Sequence, residues 1–465
     1  MTPPVTIDDR ILAEEHQFVA RTPKSLELTE QAQAVMPGGV TSSWATGRPH
    51  PIWVSHGSGS HVWDVDGNDY IDVHAGYGVN VVGHGNADVA AAITRRVPLG
   101  THFAQPTEDS IVVAENLAQR FGLPLWRFAN SGTEATMDAI HLMRAITGRD
   151  LIIKIEGSYH GHHDLVAVSI WRSLEDLGPV DEPNLTPNPG VPQAIADLVR
   201  IAPFNDLAAV ERIFERHPDR VAGMIIEPMM MNAGIIPPAP GYLEGLKELT
   251  RRNGALLTFD EVKTGLVVAA GGATELFGVT PDIVCLAKAL GGGVPCGAIG
   301  GTAEVMSAIT DGRYDQVGTF NGNPLTMAAA RAVLTQVLTP EAYERAGELS
   351  RYTYKGCAEA LAERGLPNYG VAYGFKGCIV VHETPPTNYR EFLAVDTAIS
   401  HLRYLVQHNN GVFLAPWAKS ESWTFSVAHT VADADRIVEN TALLARMLDQ
   451  TADLDSELFA AGAVT

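Results

Sequence analysis

Between about residue 100 and residue 305, short apolar runs alternate with segments of helical spacing, and this alternation limits the possible folds more than any other feature of the chain. The runs are LWRFAN from Leu125, LIIKIEG from Leu151, GMIIEP from Gly223, ALLTFDE from Ala255 and DIVCLAK from Asp282. Helical spacing begins at Thr133, where Met137, Ile140 and Met143 recur on one face, and again from Leu243 to Arg252. Runs this short and this uniformly apolar read as strands buried on both faces. Strands separated by helices build βαβ units, so the expected fold class is α/β with a mostly parallel sheet. Before this region, residues 8 to 35 carry a helix-like pattern (Ile11, Leu12, Phe18, Val19) that ends at Pro37-Gly38-Gly39. HVWDVDG from His61 and YIDV from Tyr70 read as a hairpin turning at Asp66-Gly67. After about residue 330 a helix precedes the strand-like runs GCIVVHE, VFLAP and WTFSVAHT, and a last helix runs to about Leu448; this is a second, smaller α+β unit.

Charge narrows the class of partner. Lys and Arg number 33 against 54 Asp and Glu, a formal charge of −21, which repels nucleic acid and anionic membrane surfaces. A small anion is still admissible, because a helix N-terminus and a few donors bind phosphate against the global field. No apolar stretch approaches the roughly 18 residues that a membrane span needs. The start of the chain lacks a basic segment followed by an apolar one, and Cys285, Cys296, Cys357 and Cys378 form no C-x-x-C pair. The expectation is a cytoplasmic protein with neither nucleic-acid nor membrane partner.

In open α/β sheets ligands bind beyond the carboxyl ends of the strands, so the polar residues that follow the apolar runs are read together. Asn130-Ser131-Gly132-Thr133 joins a strand to a helix. Glycine permits close approach, the hydroxyls add donors, and the helix N-terminus offers free N–H groups. The same residues also serve as an ordinary N-cap. Asp260 ends a second strand, where an acid is a metal ligand, a base or a solvated turn residue. Lys288 follows a third and leads into Leu290-Gly291-Gly292-Gly293, a turn that lets a bulky group sit against the backbone. Pyridoxal 5'-phosphate requires these three things: an amine for its aldehyde, a carboxylate for its ring nitrogen and a cradle for its phosphate. Asp260 and Lys288 are 28 residues apart, which suits a strand–helix–strand unit returning both to one sheet edge.

SGTEA at Ser131, GSYHGHHD at Gly157, IIEP at Ile225, FDEV at Phe259, LAKALGGG at Leu286 and GTFNGNPLTMAA at Gly318 resemble, in order, the motifs of class III aminotransferases. The likeness extends from Pro37 to about Thr430 and is greatest to the branch of glutamate-1-semialdehyde aminomutase and D-phenylglycine aminotransferase. It implies a fold-type I pyridoxal-phosphate enzyme with three parts: a segment 1–75 packing with the small domain, a large cofactor-binding domain 76–330, and a small α+β domain 331–465. It implies further that Lys288 forms the Schiff base and that Asp260 partners the pyridine nitrogen. Ser131, Gly132 and Thr133 would contact the phosphate, with Tyr159 and Val262 on opposite faces of the ring. His160 and Glu227 would lie near the cofactor oxygen, and Thr319 would reach the phosphate of the neighbouring subunit of a homodimer. The partners are then a small-molecule amine donor and a keto-acid acceptor.

The aminomutase holds its substrate's carboxylate with an arginine after PGGV, and here Ala45 stands in that place. The aromatic–arginine pair that often follows DEV-x-TG is replaced by Leu266 and Val267. Arg48 and Lys419 are the alternative cations, and Trp44, Tyr77, His102 and Trp417 lie in segments that by resemblance approach the substrate. The expected donor is therefore bulkier or more apolar than glutamate-1-semialdehyde. An intramolecular aminomutase or racemase would use the same lysine and electron sink. A catalytically silent binding protein would be expected to lack Lys288 or Asp260, and both are present. The proline-rich segment 173–192 is an irregular loop, either a gate over the site or a passive surface element. His160, His162, His163 and Asp164 also admit a reading as metal ligands, although YHGHHD matches the family motif without a metal.

Overall fold

A computed structural model describes residues 5–416 and 422–449. The first helical pattern is broken into two helices, Ile7–Arg21 and Pro23–Gln33. Pro23 has no N–H to give to the preceding turn, and the chain leaves the helical region at Thr22 (φ −128°). The first helix opens with a capping box, Thr6 Oγ1 accepting from Asp9 N while Asp9 accepts from Thr6 N. Its Phe18 is fully buried against Tyr404 and His408 of helix Thr397–Asn409.

Strands β1 (Val54–Ser58), β2 (His61–Asp64) and β3 (Asp69–Asp72) form an antiparallel meander, with Val62 opposite Tyr70. The expected turn at Asp66-Gly67 joins β2 to β3. The central sheet holds seven strands: β4 (Leu125–Ala129), β5 (Leu151–Ile155), β6 (Val199–Ala202), β7 (Val221–Ile226), β8 (Leu256–Asp260), β9 (Ile283–Leu286) and β10 (Gly297–Gly301), in spatial order β4-β10-β9-β8-β7-β5-β6. β5 to β9 pair in parallel, and β10 is antiparallel to both its neighbours. Helices cover both faces. On β8, Leu257 and Phe259 enter the cluster that contains Leu246, whereas Thr258 turns to Met143 of helix Gly132–Thr147.

Two strands of the central sheet escape the sequence reading. β10 is glycine-rich, and its Gly300 is required because a Cβ there would meet the Trp126 ring at 2.5 Å. β6 is a four-residue strand that carries an arginine.

Toward the end of the chain, β11 (Asn368–Tyr373), β12 (Lys376–Val381) and β14 (Trp423–Thr424) make a separate antiparallel sheet. Helix Pro340–Ala362 packs on it, and Val431–Asp449 packs on that helix. The run VFLAP, expected in this unit, instead supplies β13 (Val412–Phe413), which pairs in parallel with β3 and so ties the N-terminal segment to the C-terminal region. Among the described residues no helix is long and apolar enough to cross a membrane.

Candidate active site

The carboxyl ends of β4, β8 and β9 converge on a cavity of about 440 Å³. At one end Ser131 caps helix Gly132–Thr147, its Oγ accepting from Glu134 N at 3.2 Å. The cap reading is therefore correct, and it does not compete with the cradle reading. Helix geometry leaves the first-turn N–H groups of Gly132 and Thr133 without an intrahelical acceptor, at the positive end of the dipole. The turn lies close to its neighbours because two glycines allow it. A Cβ on Gly132 would meet Val262 at 2.9 Å, and one on Gly161 (φ +100°) would meet Thr133 Oγ1 at 2.6 Å.

Asp260 is the last residue of β8 and is 5% exposed. Its Oδ1 accepts from Val262 N at 3.0 Å, and its Oδ2 lies 2.7 Å from His160 Nδ1. The imidazole is fully buried, and its Nε2 has no hydrogen-bond partner in the protein, an unmet polar atom beside the cavity. Lys288 begins the turn Lys288–Gly291 just after β9, with a left-handed backbone (φ +48°) uncommon for a side-chain-bearing residue, and it lines the same cavity. Amine, buried carboxylate and anion cradle thus surround one space, and the buried imidazole has polar capacity to spare. These residues fit pyridoxal phosphate.

The three imidazoles of the YHGHHD segment diverge. His160 faces Asp260, His162 is exposed, and His163 Nε2 lies 3.3 Å from Thr136 Oγ1, where burial pulls its pKa down to about 4. Among the described residues no three His, Cys, Asp or Glu side chains gather as a metal site.

Glu227 follows β7 and is 3% exposed. Its oxygens accept from Tyr159 N, from Met231 N (both 2.9 Å) and from the Asn232 amide (3.1 Å), so its contacts within the chain fix backbone. Tyr159 lines both this cavity and an adjoining chamber of about 1060 Å³. Its ring stacks on Trp171 (5.5 Å, 15°) and meets the edge of Trp44 (5.5 Å, 80°), and Trp44 also contacts Tyr77 and Trp171. Tyr77 sits in a left-handed turn (φ +61°) and donates its hydroxyl to Trp44 O at 2.8 Å.

Of the other expected substrate-side residues, Arg48 is largely exposed and pairs with Glu15 at 2.9 Å, so it does not line either chamber. His102 is exposed beside Phe320 and lines neither chamber. Leu266 and Val267 are buried core. Trp417 and Lys419 lie outside the described residues. Thr319 is exposed and contributes nothing to its own chain's cavity. Sequence reasoning missed Trp171, Met231, Asn232 and Lys263, all of which line the chambers.

The model of the aminotransferase class-III family matches residues 43–435. The chain is 40% identical over 423 residues to glutamate-1-semialdehyde 2,1-aminomutase 2 of Brevibacillus brevis, covering 90% of this chain and 96% of that one. An omega-transaminase from Sphaerobacter thermophilus superposes with a TM-score of 0.87 at 36% identity, over 92% of this chain and 99% of that one. A glutamate-1-semialdehyde aminomutase from Pseudomonas aeruginosa PAO1, in complex with PMP, superposes at 0.86 and 28% identity, over 94% and 97%. With its mostly parallel sheet and its site at the strand ends, the chain belongs to the class III aminotransferases, pyridoxal-phosphate enzymes of fold type I.

Proposed function

We propose that the chain is an aminotransferase that takes the amino group of a bulky or apolar amine or amino acid and delivers it to a keto acid, with Lys288, Asp260 and Tyr159 as catalytic residues. The observation that carries this reading is that two chambers adjoin, sharing Trp44, Tyr77 and Tyr159 in their walls. One holds the amine, the carboxylate and the anion cradle; the other is walled by Trp44, Tyr77 and Trp171. Bound pyridoxal phosphate supplies an electron sink that acidifies the carbon bearing the substrate amine.

Lys288 Nζ would hold the cofactor's aldehyde and, when free, would be placed to carry a proton between the two carbons. Asp260 retains a proton on the ring nitrogen, with His160 bracing its second oxygen. Ser131, Gly132 and Thr133 would hold the phosphate, and Val262 and Tyr159 would cover opposite faces of the ring. His160 and Glu227 border the cofactor oxygen, Glu227 also fixing the Tyr159 backbone. Thr319 serves the phosphate of a second copy in a homodimer. The exposed Val317 (81%) and Phe320 (59%) beside it support a segment covered by another chain. We assign residues 76–330 to the large domain and 331–465 to the small one, with 1–75 packing on the latter; the β3–β13 pairing supports this. A cytoplasmic location belongs to the same reading and is supported by four buried free thiols.

The second reading is an aminomutase or racemase, favoured by the name of the 40% identical relative. Ala45, standing where the aminomutase has its carboxylate-binding arginine, weighs against glutamate-1-semialdehyde as substrate. Single-turnover half-reactions separate the two. If varied amines convert the cofactor's absorption to that of its aminated form and a keto acid restores it, the enzyme transaminates. If no amine leaves the cofactor aminated, the isomerase reading replaces it, and reaction with small acidic amino acids alone would refute the bulky donor.

A further inference from the structure

Lys154 lies in the middle of the apolar strand β5 and is completely buried. Its Nζ donates to two backbone carbonyls, Ser158 O at 3.0 Å and Val168 O at 2.8 Å. A lysine in that position loses its hydration, and carbonyls replace it only in part. Burial draws its pKa down to about 7, opposed by the charge of Glu227. An apolar side chain of similar length would avoid this cost but leave two buried carbonyls without a donor, so the residue is explained by what it holds and not by a gain in stability.

The position of its two acceptors shows what that is. Ser158 C=O and Tyr159 N–H belong to one peptide unit. Lys154 holds the carbonyl end, and Glu227 Oε1 holds the N–H end at 2.9 Å. The two side chains come from neighbouring strands, β5 and β7, where Lys154 pairs with Ile225, two residues before Glu227. One peptide plane is therefore gripped at both ends, by a buried amine at the carbonyl and a buried carboxyl group at the N–H, and the next side chain along is Tyr159. The second acceptor, Val168, stands at the foot of the proline-rich loop, where it bridges to Pro187. The neighbouring Ser169 O accepts from Gly157 N at 3.1 Å, and the loop carries Trp171, on which the Tyr159 ring stacks.

We propose that Lys154 is a positioning residue: with Glu227 it clamps the Ser158–Tyr159 peptide and thereby sets the Tyr159 ring and the foot of the Trp171 loop against the cofactor. The part concerning the cofactor rests on the reading above that Tyr159 covers its ring.

The test uses full-length Lys154→Met, which keeps length and removes donors, beside Tyr159→Ala and the double variant. Each is measured without and with added pyridoxal phosphate. For Lys154→Met we expect a folded protein with an unfolding midpoint at or somewhat below wild type, because relief of the buried amine offsets part of the two lost carbonyl bonds. We also expect altered near-ultraviolet circular dichroism from the Trp44–Tyr159–Trp171 cluster in the cofactor-free protein, and faster amide hydrogen exchange at Tyr159. Pyridoxal phosphate should bind about tenfold more weakly, with the double variant no weaker than Tyr159→Ala alone. Unchanged dichroism and unchanged exchange would overturn the clamp. If Tyr159→Ala binds the cofactor normally, the reading of Tyr159 as ring cover fails, and exchange and dichroism still decide the clamp separately. Should Lys154→Met not fold, Lys154→Ile, whose β-branched side chain suits a buried strand and which likewise removes both donors, takes its place; wild-type exchange at Tyr159 in that variant would equally refute the proposal.

Discussion

The floor and the roof of the cavity are built in different ways. On the floor, each polar group lies within two residues of a strand end: Asp260 closes β8, Ser131 comes two residues after β4, and Lys288 two after β9. Sheet pairing sets their separation. Asp260 lies opposite Cys285 in the β8–β9 ladder, which places the acid and the lysine on one edge. The roof has no such frame. Trp44 comes from a short turn after Pro37-Gly38-Gly39, Tyr77 from a left-handed turn, and Trp171 from the foot of the proline-rich loop with a backbone φ of +50°. They are held chiefly by one hydroxyl contact and by ring edges. The contrast separates two tasks. On the proposed reading, reaction chemistry is fixed by the scaffold, and substrate choice is left to segments free to vary without disturbing it.

If this division holds, damage to the floor removes turnover for every donor alike. Lys288→Ala should show the largest effect, a loss on the order of a thousandfold or more, since the amine and the proton carrier disappear together. The measurement is turnover across several donors together with the cofactor's lysine-linked absorption. Multiple turnovers near the wild-type rate would break the comparison at its strongest point. Asp260→Asn should come next. An amide still reaches the ring nitrogen but no longer stabilises a proton there, so the cofactor is retained and the rate falls by roughly a hundred- to a thousandfold. Because Asp260 also accepts from Val262 N and faces His160, cofactor content must be measured alongside rate. A selective loss for one donor would show that the floor, too, chooses substrates.

The same division explains what could be read in advance. β5, β7, β8 and β9 are apolar on both faces because helices cover the sheet on both sides, so their residues stand out as runs and their ends point to Glu227, Asp260 and Lys288. β10 did not stand out, because neighbouring side chains such as Trp126 occupy the space its own would have filled, leaving Gly-Ala-Ile-Gly-Gly. A lysine inside LIIKI is an anomaly in a doubly buried strand, and buried polar residues inform more than exposed apolar ones. The roof gave weaker signals. HAGYG suggests a special backbone at Tyr77, with glycines on both sides. Nothing local marks Trp171 as facing Tyr159, since their contact depends on how residues 160–170 fold back. Arg48 shows the opposite failure, being near the site in sequence but engaged by Glu15 of the first helix.

The smallest expected effect tests the roof itself. Trp171→Ala removes a ring that is 55% exposed, stacked on Tyr159 and edge-on to Trp44, so the variant should fold normally. An aromatic wall contributes by burying the substrate's apolar surface, and losing one ring is worth about tenfold in affinity. The expectation is a KM about ten times higher for bulky donors, an unchanged KM for small ones and a kcat near wild type for both. Steady-state kinetics over a donor series of graded size checks this. A fall in kcat shared by all donors would give a different answer. It would mean that Trp171 acts through the Tyr159 face it stacks on, and that the boundary between floor and roof runs through Tyr159 and not above it.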